Sequence, residues 1–231
     1  MSNSASLRKI GVVVAIEIDS VLKKYGEPAE TIEKHGFTVR TFKNENCIMY
    51  VVDSGAGEIS AATSVQMLIS EFGVDMVLNF GVVGGLVPEM ASTELCVVDS
   101  IIHYDFVTTG WLNLKTGQYP NHDSQFIKTT PALVEKALSV DGTLRKVVCA
   151  SADKFVDSAE DKTALREAYG ADICEMEAAG IALTCERNGV DCLLIKAVAD
   201  SLTGRGKEFF EALNDASDAC FDLLDKVIKS L

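Results

Sequence analysis

A chain of 231 residues with 48% apolar residues and only four prolines is long enough to bury a substantial core and is not a disordered polymer. Its 34 acidic against 21 basic residues give a formal charge of −13, which repels nucleic acid and anionic membrane surfaces. No apolar run approaches the roughly 20 residues of a membrane span, and M-S-N-S-A-S-L-R-K lacks a cleavage-type pattern, so a cytosolic protein is expected. In chain order, residues 1–7 read as a flexible tail and Lys9–Ile16 as a strand buried on both faces. Asp19–Tyr25 is a short helix closed by Gly26. Phe37–Phe42 and Cys47–Val52 alternate around N-E-N and predict a hairpin. After the G-A-G turn at Gly55–Gly57, apolar residues at helical spacing predict a helix over Glu58–Phe72, capped by Gly73.

Met76–Phe80 is a further buried strand, followed by the glycine-rich G-V-V-G-G-L-V-P of Gly81–Pro88, then the strand Leu95–Ile102. His103–Phe126 is a polar and aromatic excursion without a period, the kind of long loop that carries function or forms a packing arm. Helices over Pro131–Leu138 and Asp161–Tyr169 flank a strand at Arg145–Ala150. A strand ending at Cys174–Glu175, a helix over Ala178–Arg187, a strand over Cys192–Val198 and a helix from Gly206 to Lys229 complete the chain. Strands alternate with helices almost throughout, which predicts a single domain over residues 1–231 with an α/β fold: a three-layer α/β/α sandwich around a central mixed sheet. Seven cysteines form no C-x-x-C pair and read as reduced thiols, and three histidines show no metal-ligand spacing. Neither a metal nor a cofactor is expected.

The chemistry-bearing residues gather where strands end. In parallel α/β sheets ligands bind at the carboxyl ends of strands, and carboxylates there can grip sugar hydroxyls or handle protons. Glu17 and Asp19 follow the first strand, Glu175 and Glu177 precede the helix at Ala178, and Asp200 follows the strand before Ser201. Each has a plainer reading as a helix cap or a strand-end charge. The segment Gly81–Pro88 fits neither G-x-G-x-x-G nor G-x-x-x-x-G-K-[ST], so it reads as a tight crossover turn or as backbone that approaches an uncharged sugar or base. His103 beside Tyr104 and Asp105 reads as a loop hydrogen-bonder, and Phe209-Phe210 as core or pocket lining. Carboxylates at three strand ends and a glycine turn at a fourth are better explained by one shared site than by independent coincidences.

With these motifs in view, the chain resembles the nucleoside phosphorylase/nucleosidase superfamily, and most of all its 5′-methylthioadenosine/S-adenosylhomocysteine nucleosidases. The likeness runs through G-V-V-V-A-I-E at Gly11, S-G-A-G at Ser54, N-F-G-V-V-G-G-L at Asn79, S-A-D-K-F-V at Ser151, C-E-M-E-A-A-G-I-A at Cys174 and K-A-V-A-D at Lys196. The resemblance implies a purine nucleoside as the small-molecule ligand and release of adenine in methionine salvage. It implies that Met176 and Glu177 hold the ribose and that Asp200 protonates the leaving purine. Phe155 would stack on the base and the Val156 backbone would read its edge. Ile16, Met176 and Phe210 or its neighbour Phe209 would line the 5′ pocket, and Val82 and Gly84 would border the sugar. The arm at Val107–Leu112 would close a neighbour's site, which implies a homodimer.

The departures from the family pattern fall at the nucleophile end. Asp19 stands where these nucleosidases carry a water-orienting Glu, and its side chain is shorter by one methylene, about 1.5 Å of reach. Glu17 is a second candidate base, and strand alternation does not say which of the two points inward. Val82 replaces a hydroxyl residue, Lys196 an Arg that contacts the ligand region, and Ala199 a Ser. Three functions are therefore weighed: hydrolysis, phosphorolysis on the same fold, and binding of adenosine-like ligands with weakened catalysis. The phosphorylase pattern G-D-P-x-R is absent after the first strand and Asn79 occupies an arginine position, which leaves Arg40 as a candidate donated by a neighbour.

Overall fold

The computed structural model describes residues 7–203 and 206–231, so the expected tail lies outside the described residues except for Leu7. Continuous apolar runs form the central strands. These are β1 (Arg8–Val14), β5 (Met76–Gly85) and β10 (Asp191–Asp200), and β5 is buried along its whole length. Because side chains alternate along a strand, one face of these strands carries Val12, Val14, Leu78, Phe80 and Ile195, and the other Val13, Val77, Val83, Leu194 and Val198.

Helices cover both faces. On the first lie α1 (Ile18–Tyr25), α4 (Pro131–Val140) and α7 (Gly206–Ser230). On the second lie α2 (Glu58–Met67, continued by a π-helical turn at Leu68–Phe72) and α6 (Ala178–Asn188). Gly73 closes α2 at φ 62°, its N–H bonded to the Ile69 carbonyl. The expected three-layer architecture is the observed one.

The sheet is mixed, with strand order β10-β6-β8-β9-β5-β1-β4-β3-β2, and β10 also pairs β5. Here β2 is Glu30–Lys34, β3 Phe37–Lys43, β4 Cys47–Asp53, β6 Leu95–His103, β8 Arg145–Ser151 and β9 Ile173–Glu175. The extra pairing closes β5, β9, β8, β6 and β10 into a five-strand ring, from which β1 to β4 extend as an open arm. The expected hairpin is β3–β4, antiparallel. The short strand β7 (Phe126–Lys128) pairs β6, and α3 (Thr109–Leu112) sits within the long excursion. The segment α5 (Ala159–Tyr169) covers a small third cluster around Leu86, Ala150, Val156 and Leu165.

One expectation is corrected. The tight crossover turn expected from Gly81 does not form there, because Gly81–Gly85 remain in β5 and pair with β10 and β9. The strand runs on because β10 supplies ladder partners up to Gly84 and β9 pairs Gly84 and Gly85. All seven cysteines are buried thiols. Among the described residues, no helix is long and apolar enough to cross a membrane.

Candidate active site

A cavity of about 300 Å³ opens at the ends of β1, β5, β9 and β10. Glu17, Glu175, Glu177 and Asp200 reach its wall from three strand ends, and Val82, Val83 and Gly84 of β5 form its floor. The glycines are there for the carboxylates. A Cβ on Gly81 would stand 2.8 Å from Glu17 Oε1, and one on Gly84 would stand 3.2 Å from Asp200 Oδ1 and 3.0 Å from Cys174 Sγ. The glycine pattern thus makes room for two acidic side chains, a role that needs no bound anion.

Glu17 is 5% exposed and immediately precedes α1, three residues past the end of β1. Its Oε2 accepts the Ala15 and Ile16 N–H groups at 3.2 and 3.0 Å, and its Oε1 accepts the Val82 N–H at 3.0 Å. Asp19, the carboxylate expected at this place, is exposed in the first turn of α1 and does not line the cavity. The reason is helical geometry: two residues past the turn, the side chain points outward along α1, while Glu17 folds back over the strand end.

Glu175 and Glu177 divide on different grounds. Glu175 accepts the N–H groups of Glu177 and Ala178 at 3.1 and 2.9 Å, so it caps α6, and it also pairs with buried Lys196 at 3.2 Å. Glu177 accepts the Gly57 N–H at 2.8 Å, which brings it against the N-terminus of α2. Burial, reinforced by the charge of Glu175, pushes its carboxyl up to about 7. Lys196, expected to touch the ligand, is held behind Glu175 and does not line the cavity. It stays a cation, because Glu175 and Glu177 outweigh the cost of its burial.

Asp200 ends β10 beside a β-bulge between Val198 and Asp200, an irregularity that re-aims side chains. It pairs across to Gly84, which pairs on its other side with Cys174. Its carboxylate is bonded by the Lys162 ammonium, a fully buried group that also donates to the Ser201 carbonyl at 2.7 Å. Burial raises the carboxyl of Asp200, and Lys162 works against that rise.

Ile16, Met176, Phe155, Val156, Phe209 and Phe210 supply the apolar wall. Ile16, Phe155 and Phe210 are 48%, 48% and 68% exposed, so this wall is also the cavity mouth. Phe209 packs edge-on against both Phe155 and Phe210. His103 bonds Tyr119 and Asp105 and does not line the cavity. Arg40, on β3, does not line it either.

Sequence reasoning missed Lys162, Glu58 and Ser151. Ser151 Oγ lies 2.5 Å from Glu58 Oε1 and 2.6 Å from Glu175 Oε1, and it accepts the Ala179 N–H at 3.2 Å. A hydroxyl has one proton, so it can donate to only one of two carboxylates. The second short contact needs a proton from the other side, and burial pushes the Glu58 carboxyl up to about 8. Glu58 is therefore the carboxylic acid of this chain of bonds, donating to Ser151, which donates to Glu175.

The folded chain holds the Glu58 proton well above the pH at which the unfolded chain releases it. Between those two points the folded state binds more protons, so stability falls as pH rises, by at most about 1.4 kcal/mol per unit for this group. Glu58→Gln keeps a donor toward Ser151 and an acceptor toward Gly180. Urea unfolding between pH 5 and 8 is expected to show a flatter stability profile for this variant than for the wild type. Equal slopes would remove the proton from Glu58.

Comparison with known proteins places this geometry among relatives. The model of the phosphorylase superfamily matches residues 9–229. The chain is 31% identical over 182 residues to an aminodeoxyfutalosine nucleosidase of Campylobacter jejuni, covering 77% of this chain and 78% of that protein. It is 29% identical over 199 residues to the 5′-methylthioadenosine/S-adenosylhomocysteine nucleosidase of Haemophilus ducreyi, covering 83% and 84%. Its fold is similar to a crystal structure of the corresponding nucleosidase from Helicobacter pylori with butyl-thio-DADMe-Immucillin-A. That likeness has a TM-score of 0.93 at 27% identity and covers 98% of this chain and all of the other.

Proposed function

Because the chain belongs to the phosphorylase superfamily, we propose that its cavity hydrolyses the N-glycosidic bond of a purine nucleoside, releasing adenine, with 5′-methylthioadenosine or S-adenosylhomocysteine as the favoured substrate. The observation that carries this reading is the charge pattern of the cavity. Carboxylates stand on its wall while the buried cations nearest them are engaged, Lys162 by Asp200 and Lys196 by Glu175. Lys154, the cation among the described lining residues, is half exposed and paired with Asp161 at 3.1 Å. Such a site suits a neutral nucleoside and a water molecule. Among the described residues that line the cavity, a phosphate dianion would meet acidic groups and none of the bidentate arginine donors that phosphate sites use. The nucleosidase names of the relatives support the same choice.

In this reading Glu177 accepts the 2′ and 3′ hydroxyls of the ribose, two acceptor oxygens meeting a vicinal diol. Phe155 stacks on the purine, the Val156 backbone reads its edge, and Val82 and Gly84 border the sugar. The C1′–N9 bond breaks with its electron pair passing to the purine, and Asp200 delivers a proton to N7 so that the base leaves neutral. Glu17 holds the attacking water and takes its proton as oxygen bonds to C1′. Ile16, Met176 and Phe210 form an apolar exit for the 5′ group, which favours a thioether over a charged substituent. Weakened catalysis is suggested by the short side chain of Asp19 and by the missing hydroxyl at Val82. The first motive falls away because Glu17, and not Asp19, lines the cavity.

Exposed Val107 and Trp111, 61% and 82% exposed in the arm around α3, support packing of this arm on a second copy, which makes the protein a homodimer. Buried free thiols support a cytosolic setting, and the 5′-methylthioadenosine/S-adenosylhomocysteine nucleosidase among the relatives supports a place in methionine salvage. The test is adenine release from methylthioadenosine in phosphate-free buffer. Turnover is expected, and tight binding without turnover would contradict the reading.

A further inference from the structure

Lys162 stands out among the buried groups. The helix α5 is otherwise a polar surface helix, yet Lys162 is 0% exposed, one turn before buried Leu165. Burying an ammonium costs several kcal/mol unless a partner compensates. Its compensation is Asp200 Oδ2, together with the Ser201 carbonyl. That arrangement occupies Oδ2 and fixes the side chain, while Oδ1 lies against Gly84, which lines the cavity.

Building on the reading that Asp200 is the general acid, we propose that Lys162 is a positioning residue which aims Asp200 Oδ1 at the leaving base and stabilises the carboxylate left when its proton departs. The step balances simply. The O–H bond of Asp200 breaks, N7–H forms as the C1′–N9 pair enters the purine, and the new carboxylate is neutralised by the ammonium already bonded to it. Without Lys162 the acid would be held back by burial, and its proton would leave at a higher energetic cost. Among the described residues, the groups facing Asp200 are Lys162 from α5, Asp157 before it, Glu208 from α7 and Cys174 from β9. Lys162 is the cation in that set, while the negative charges of Glu208 and Asp157 oppose ionisation of Asp200.

The sign follows. Loss of the cation raises the pH at which Asp200 gives up its proton, so the alkaline limb of the rate profile moves upward while the rate on the plateau falls. Lys162→Met preserves the volume and Lys162→Arg preserves the charge, and both are compared with Asp200→Asn, with folding checked by thermal melting. For Lys162→Met we expect kcat to fall at least about tenfold with KM within about threefold, and the alkaline limb to rise by about one pH unit. Lys162→Arg should recover part of kcat and return the limb toward its original position. A Lys162→Met profile superimposable on the wild type would overturn the assignment, as would equal losses in both variants with an unmoved limb. If Asp200→Asn alone is inactive in that case, the acid role of Asp200 survives and only the role of Lys162 is lost. An active Asp200→Asn would remove both.

Discussion

Asp200→Asn is expected to lower kcat for adenine release by more than about 100-fold, with methylthioadenosine still bound. The amide is nearly isosteric but has no acidic proton to give to N7, so the purine would have to leave as an anion. Binding should survive because Glu177 and the apolar wall are untouched, and KM should change far less than kcat. The same substitution leaves the Lys162 ammonium buried beside a neutral group. That exposes the unfolding equilibrium to a cost of about 3 kcal/mol. Stability and turnover must therefore be measured separately, at a temperature where the variant is folded. Turnover near the wild-type rate in a folded Asp200→Asn protein would take the acid role from this residue.

The second large effect separates Glu17 from Asp19. Glu17→Gln is expected to cost about 100-fold or more in kcat, whereas Asp19→Ala should stay within about twofold of the wild type. Both oxygens of Glu17 accept backbone N–H groups, from Ala15, Ile16 and Val82. A glutamine must turn its NH₂ toward one of these donors, so it loses both the base and its anchoring. Glu17→Asp retains the charge but withdraws it by about 1.5 Å, and a misplacement near 1 Å can cost about 100-fold. Steady-state rates for the three variants decide the matter. A dead Asp19→Ala and an active Glu17→Gln would reverse the assignment.

These residues also show where the sequence was legible and where it was not. The long apolar runs at Lys9, Met76 and Cys192 had one physical solution, strands buried on both faces, and the glycines after their helices marked the stops. The cluster of Met176, Glu177 and Asp200 was visible because each closes such a strand, and the cavity brings all three together. Glu17 was harder. Family spacing favours position 19, and alternation along a strand cannot say which carboxylate turns inward once the strand has ended at Val14. The turn geometry decides that, and it is set by the neighbouring Ala15 and Ile16 amides together with the Val82 amide of β5, which lies far away in sequence.

Lys162 was hidden for another reason. In A-E-D-K-T-A-L-R it reads as one more polar position of a solvated helix, and only its spacing of three from Leu165 hints at the inner face. Its partner lies 38 positions away. Lys196 misled in the opposite sense: the resemblance sets it in the place of an arginine near the ligand, while in the interior of β10 Glu175 intercepts it. Edge strand β2, with exposed Glu30, Thr31 and Glu33 around a single half-buried Ile32, carried no apolar pattern to read.

The central claim is that water, rather than phosphate, takes the ribosyl group. It is tested most directly by identifying the sugar formed from methylthioadenosine in phosphate-containing buffer. We expect free methylthioribose in one-to-one ratio with adenine, at a rate unchanged when phosphate is withdrawn. Formation of methylthioribose 1-phosphate, with adenine release that stops without phosphate, would contradict it.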